Sequence, residues 1–178
     1  MAEYVKIPEE RLDLILADNE KIKKLIEKST NIKLEIDKQA SEVAIISEGN
    51  LKDPLVLWHV RDVIKAIGRG FDPEIALELL NKNKELKIID LSHYVGKSKN
   101  QLVRIRGRII GRNGKSKELI EETTNTHMVI YGKTVCIIGS LERVHIAAQA
   151  VDRLASGSMH GSVFKIIEQE AKNLAFKR

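Results

Sequence analysis

Residues 108–114 read Arg-Ile-Ile-Gly-Arg-Asn-Gly and run on into Lys115-Ser-Lys-Glu-Leu-Ile-Glu-Glu. Two glycines bracket two polar residues, one of them basic. An aliphatic pattern of helical spacing enters this stretch from Asn100, and another leaves it over Lys115–Thr124. Glycine has no Cβ, so it adopts dihedrals closed to other residues and lets a second backbone come close. A helix that starts near Gly114 points unbonded N–H groups and the positive end of its dipole back at the loop. A phosphate suits such a place, and Arg112, Lys115 and Lys117 surround it with mobile positive charge.

Outward from the loop, charge is distributed unevenly. Between Val95 and Lys117 stand eight basic residues (Lys97, Lys99, Arg104, Arg106, Arg108, Arg112, Lys115 and Lys117) and no acid. A mixed run would be an ordinary solvated helix face; a run of one sign ending in two spaced glycines favours a polyanionic partner. The formal net charge of +5 agrees in sign. Aromatic residues make up only 4% of the chain, which argues against modules that stack bases on several exposed rings. No apolar run reaches the roughly 20 residues of a membrane span, and residues 1–8 lack a basic-then-apolar leader pattern. With Cys136 alone, neither an internal disulfide nor a zinc cluster is expected. The expectation is a cytoplasmic protein without cofactor, metal or membrane contact.

Periodicity orders the rest of the chain. Glu3–Ile7 reads as a strand, and Pro8 opens a helix carrying Leu12, Ile15 and Leu16. Asp18-Asn19 breaks it, and Ile22, Leu25 and Ile26 mark a second helix that ends at Thr30-Asn31. Ile32–Ile36 and Val43–Ile46 read as strands, and Leu55–Ile67 as a helix stopped by Gly68-Arg69-Gly70. Gly49-Asn50 and Asp53-Pro54 are punctuation before it. The second half repeats this order: strand Leu86–Leu91, helices on both sides of Gly111–Gly114, strands Thr126–Tyr131 and Thr134–Ile138, helix Leu141–Ala155. A displacement of 94 positions lays Ala17 on Gly111, Asn19 on Asn113, Leu25-Ile26-Glu27 on Leu119-Ile120-Glu121 and Thr30-Asn31 on Thr124-Asn125. Two amphipathic helices could match by chance, but chance does not bring Thr-Asn into register at both helix ends. The reading is two copies of one β-α-α-β-β-α unit. Phe71–Leu80 reads as a connecting helix that packs the copies together, and a loop over residues 157–162 leads to a terminal helix, Val163–Phe176.

The two loops differ in chemistry. In the first copy the loop is Ala17-Asp18-Asn19-Glu20, in which both glycines are lost and two carboxylates repel a polyanion. Lys21, Lys23 and Lys24 compensate only in part, so this copy is expected to hold a partner or brace the other. In the second copy, Ile109 and Ile110 are expected to line one side of a groove beside the loop. The strand containing His127, Met128 and Val129 should supply the other, with Arg104 and Arg108 near by. An aliphatic groove edged by backbone hydrogen-bonding groups reads unstacked bases on their Watson–Crick edges. His127 is either a base contact or a surface histidine without a role.

Gly111-Arg112-Asn113-Gly114 resembles the Gly-x-x-Gly loop of KH domains, which clamps about four single-stranded nucleotides. The paired copies, Ala66-Ile-Gly-Arg-Gly-Phe, Arg106-Gly-Arg-Ile-Ile-Gly, Gly139-Ser140 and the Gly157-to-Val163 tail resemble the archaeal KH proteins related to the eukaryotic Partner-of-Nob ribosome-assembly factor. The resemblance covers nearly the whole chain and is most specific from Leu102 to Ser140. It implies an α+β protein of two tandem type I KH domains, each a three-stranded antiparallel sheet packed on three helices. The implied divisions are residues 1–70 for the first domain with its degenerate loop, 71–84 for the connecting helix, 85–156 for the second domain, and 157–178 for the C-terminal loop and helix. It further implies binding to single-stranded RNA near the 3′ end of small-subunit ribosomal RNA, with the Nob endonuclease and the alpha subunit of initiation factor two as partners. Lys117 departs from the pattern, since many KH domains carry Ile there.

Enzyme readings fare worse. Gly114-Lys115-Ser116 ends like a P-loop, but the position five residues earlier is Ile109 rather than Gly, and a basic helix replaces the required strand. The adjacent pairs Glu9-Glu10 and Glu121-Glu122 face different ways on a helix, so they are not acid–base pairs. Cys136 lies in an apolar strand and reads as core. The remaining alternative is a protein-interaction scaffold in translation or RNA processing, with RNA binding secondary.

Overall fold

The computed structural model describes residues 2–47 and 53–176, so the expected punctuation at Gly49-Asn50 lies outside the described residues. The chain divides into two compact units, Met1–Lys84 and Glu85–Arg178. Each holds one three-stranded antiparallel sheet with its third strand in the middle.

In the first unit, β1 (Ala2–Lys6), α1 (Glu9–Thr30), β2 (Ile32–Asp37), β3 (Glu42–Ser47) and α2 (Leu55–Gly68) follow the order read from the sequence. β3 pairs with β1 through Tyr4 opposite Ala44 and with β2 through Leu34 opposite Ile45. Helix α1 is continuous only by hydrogen bonding. Ala17 is extended (φ −61°, ψ 161°), and Asp18, Asn19 and Glu20 are left-handed with φ of 50°, 60° and 60°. The expected break is therefore a sharp turn between two helical arms. The arms bury Leu12 and Ile15, then Ile22 and Ile26. The segment after Gly70 splits into a short helix, α3 (Pro73–Ala76), and a 3-10 turn, Leu77–Leu80. Asp72 caps α3 by accepting the N–H of Glu74, and Phe71, Ala76 and Leu79 are buried within the first unit's packing on α2.

The second unit runs β4 (Glu85–Asp90), α4 (Ser92–Val95), α5 (Lys99–Ile110), a 3-10 turn (Arg112–Gly114), α6 (Lys115–Thr124), β5 (His127–Tyr131), β6 (Thr134–Gly139), α7 (Leu141–Ala155) and α8 (His160–Phe176). α4 has no counterpart in the sequence reading, because four residues carry no periodic signal. Asp90 starts it by accepting the Ser92 N–H at 2.8 Å. Helix α8 begins at His160, three residues before the expected start, and the loop shrinks accordingly. Strand alternation sends Met128, Ile130, Val135 and Ile137 to the helices, where they join Ile105, Ile109, Ile120 and Val151 in one core. Among the described residues no helix is long and apolar enough to cross a membrane.

The repeat holds at atomic detail where the two helices end. Thr30 Oγ1 donates to the Ile26 carbonyl at 2.7 Å, and Thr124 Oγ1 to that of Ile120 at 2.7 Å. The next residue is a left-handed asparagine each time, Asn31 at φ 57° and Asn125 at φ 50°. Asparagine tolerates that conformation better than most residues, which is why it serves as a helix stop.

Candidate nucleic-acid interface

The loop of the second unit is a tight turn between α5 and α6. Gly111 has φ 76° and Gly114 φ 75°. At Gly111 the missing side chain is also a matter of space, because a Cβ there would stand 2.5 Å from Ser116 Cβ and 2.8 Å from its backbone nitrogen. At Gly114 the surroundings are open and the dihedral alone selects glycine. The turn uses some of its own donors: Gly114 N–H bonds to the Gly111 carbonyl at 3.2 Å, and Lys115 N–H to that of Arg112. The other two amides of the turn belong to Arg112 and Asn113. The exposed Arg112, Asn113 and Lys115 side chains surround them.

The basic run is less uniform than its sequence. Arg104, Arg112 and Lys115 are exposed and have no ion-pair partner among the described residues. Lys117 is half-buried and pairs with Glu121 Oε2 at 2.8 Å. Arg108 spends its planar fork on the chain itself: Nε donates to the Leu154 carbonyl at 3.1 Å and Nη2 to that of Ser158 at 2.5 Å. In return, His160 Nε2 donates to the Arg108 carbonyl at 2.8 Å. Three helix ends are thereby tied together, those of α5 and α7 at their C-termini and that of α8 at its start. Arg11 does the same in the first unit, with Nε on the Ile67 carbonyl at 2.7 Å and Nη2 on that of Phe71.

The expected groove needs correction. Ile109 is 0% and Met128 1% exposed, so both are core residues and neither lines a surface. His127 and Val129 alternate to the sheet face turned away from the helices. On the helix side the strand offers only the half-buried Ile130, with Ile110 half-buried on α5. The edge of β5 is also partly taken, since Met128 N–H donates to Glu121 Oε1 at 2.6 Å.

A cavity absent from the sequence reading opens beside the same loop. It encloses about 780 Å³ and is walled by Arg104 and Gly107 of α5, Leu119 and Glu122 of α6, and His160 and Phe164 of α8. It also reaches Gly111, Arg112 and Lys115. Its α8 wall was hidden because Gly157 and Gly161 look like loop residues. Gly157 (φ 99°) does end α7, whereas Gly161 is helical.

Two βααββα units, one with a glycine-framed turn between its first helices, define a tandem KH protein. Comparison with known families agrees: residues 85–172 match the eukaryotic type KH-domain (KH-domain type I), and residues 4–82 match the Krr1 KH1 domain. A KH domain-containing protein of Methanocaldococcus jannaschii is 41% identical over 97% of this chain and 75% of its own length. Pre-rRNA-processing protein PNO1 of Coccidioides immitis is 28% identical over 90% of this chain, which spans 63% of that protein. Among solved structures, a chain of the a/eIF2alpha-aDim2p-rRNA complex from Pyrococcus horikoshii superimposes with a TM-score of 0.88 at 44% identity, covering 97% of this chain and 95% of that one. The chain belongs to the PNO1/Dim2 family of two-KH-domain proteins.

Proposed function

We propose that this chain binds single-stranded RNA through its second unit and acts in assembly of the small ribosomal subunit, near the 3′ end of its RNA. The observation that carries this reading is the Gly111–Gly114 turn. Two left-handed glycines set the main chain of Arg112 and Asn113 at its crest, beside the exposed cations of Arg112 and Lys115. A phosphate there meets N–H donors and positive charge together. The first unit keeps the turn but replaces its glycines and adds two carboxylates, which suits a bracing or partner-holding role. Relatives named as pre-rRNA-processing proteins support the assembly role, and the solved complex with a/eIF2alpha and rRNA supports RNA and that initiation-factor subunit as partners. The Nob endonuclease is the further partner that family resemblance suggests. On this reading the chain binds and positions, and another protein does the chemistry.

The test is a gel-shift titration of one short RNA as a single strand and as its annealed duplex. The single strand should bind at least tenfold more tightly. Equal affinities would remove the turn as a single-strand clamp and leave a scaffold whose basic face meets acidic protein surfaces.

A further inference from the structure

We propose that the cavity between α5, α6 and α8 is a nucleobase subsite. It would take the base of one nucleotide next to those held at the Gly111–Gly114 turn. The proposal rests on the RNA-binding reading and deepens it. Three observations carry it.

The first is Gly107. It lies inside helix α5, is exposed, and a Cβ built there would meet nothing within 4 Å. No contact within the chain requires glycine at this place, and glycine in a helix costs about 0.5–1 kcal/mol relative to alanine. What its bare backbone does is keep the α5 wall of the cavity open, so that a flat group can come close.

The second is the pair of rings opposite. His160 and Phe164 meet edge to face, with centroids 5.9 Å apart and an interplanar angle of 61°. His160 is held by its hydrogen bond to the Arg108 carbonyl, so the pair is fixed before any ligand arrives. Phe164 is one of three phenylalanines in the chain, and together with His160 it sets two rings on a cavity beside a cationic turn. Bases stack on such surfaces whatever their sequence.

The third is the division of charge between the walls. Arg104, Arg112 and Lys115 stand on the α5 and turn side, while Glu118 and Glu122 stand on the α6 side without an ion pair among the described residues. A phosphate is drawn to the first side and repelled from the second. A neutral base with an exocyclic amine fits the second side, because carboxylates accept from such groups. A strand clamped at the turn passes the mouth of the cavity, since Gly111, Arg112 and Lys115 belong to both. Its backbone can follow the cations while one base turns in toward Leu119 and Phe164. The volume of about 780 Å³ lies in the usual range of small-ligand sites.

The test uses the full chain and a set of labelled oligocytidylate strands, each with one abasic position, read by fluorescence anisotropy. For the unaltered protein, one abasic position flanking the clamped nucleotides should weaken binding by about tenfold, the scale of one lost stacking contact. Phe164→Leu keeps apolar bulk on the core side and removes the ring, so this position should become silent. Gly107→Leu plugs the cavity from an open helical surface and should give the same flattened profile. Unchanged melting temperatures exclude misfolding as the cause. A profile in both variants identical to that of the unaltered protein would overturn the subsite, and a protein segment would then be the better occupant. Absence of binding to any strand by the unaltered protein would instead overturn the RNA reading itself.

Discussion

Glu121 accepts the backbone N–H of Met128 at 2.6 Å, bolting helix α6 to the edge of β5. In the first unit Glu27 accepts the N–H of Leu34 at 2.8 Å, and the 94-residue displacement maps one pair onto the other. The two units differ in loop chemistry and share this bond. In the second unit the same carboxylate also holds Lys117, the residue that stands where many KH domains have isoleucine.

Removing either carboxylate should cost stability alike, because each leaves a partly buried strand donor without its partner. For Glu121→Ala and Glu27→Ala the expected loss is about 1–3 kcal/mol by denaturant titration. Only Glu121→Ala should change RNA affinity. It frees Lys117 and removes a negative charge beside the turn, so binding should tighten a few-fold. Weaker RNA binding by Glu121→Ala would mean that the glutamate itself contacts the strand.

Salt dependence measures how many cations meet phosphates. Arg108 is committed to carbonyls and Lys117 to Glu121. Lys97, Lys99, Arg104, Arg112 and Lys115 remain exposed. With about 3–5 phosphate contacts, log K should fall by about 2–3.5 for each tenfold rise in salt on a single strand. Arg108→Lys should leave that slope unchanged and lower the melting temperature, since an ammonium cannot span both carbonyls as the fork does.

The asymmetry of the units can be tested at the turns. Arg112→Asp with Asn113→Asp puts two carboxylates at the crest where a phosphate would sit, and RNA binding should be lost. Both side chains are exposed, so stability should change by no more than about 0.5 kcal/mol. Asn19→Asp, in the acidic turn of the first unit, should leave affinity within a factor of about two. An equal loss from the two changes, at unchanged melting temperature, would place both turns on the RNA.

Tyr94 offers a check independent of ligand. Burial, then its hydrogen bond to Asp152 Oδ1 at 2.5 Å, pushes its phenol up to about 12. A raised folded-state value means that the bond's contribution to stability is fully present below the ordinary tyrosine value of about 10. That contribution is lost as pH rises through about 12. A near-ultraviolet titration should therefore show a tyrosine step near pH 12, and Tyr94→Phe should remove that step. A titration that Tyr94→Phe leaves unchanged above the ordinary tyrosine value would refute the burial of this phenol.

Element order and the duplication were legible because they rest on local spacing. Thr30-Asn31 and Thr124-Asn125 announce the same helix stop twice, and the structure repeats it bond for bond. The turn was legible for the same reason. The groove was not, because spacing says that Ile109 and Met128 are apolar but not whether they face a core or a cleft. Nor could sequence show that Arg108 is bound to carbonyls 46 and 50 residues away. The cavity stayed hidden because its third wall, α8, starts within a segment whose two glycines read as a loop.

The close fit between Gly111 and Ser116 limits how this turn can be mapped. Alanine scanning treats a lost side chain as a lost contact, but at Gly111 alanine adds an atom 2.5 Å from a neighbour. Failure of that variant would report a helix levered out of place and say nothing about the ligand. The informative change is smaller than a side chain. An ester oxygen in place of the amide at Arg112 or Asn113 deletes one donor and leaves the outline of the turn as it was. Semisynthesis, which edits the main chain atom by atom, is therefore the means of learning what this turn holds.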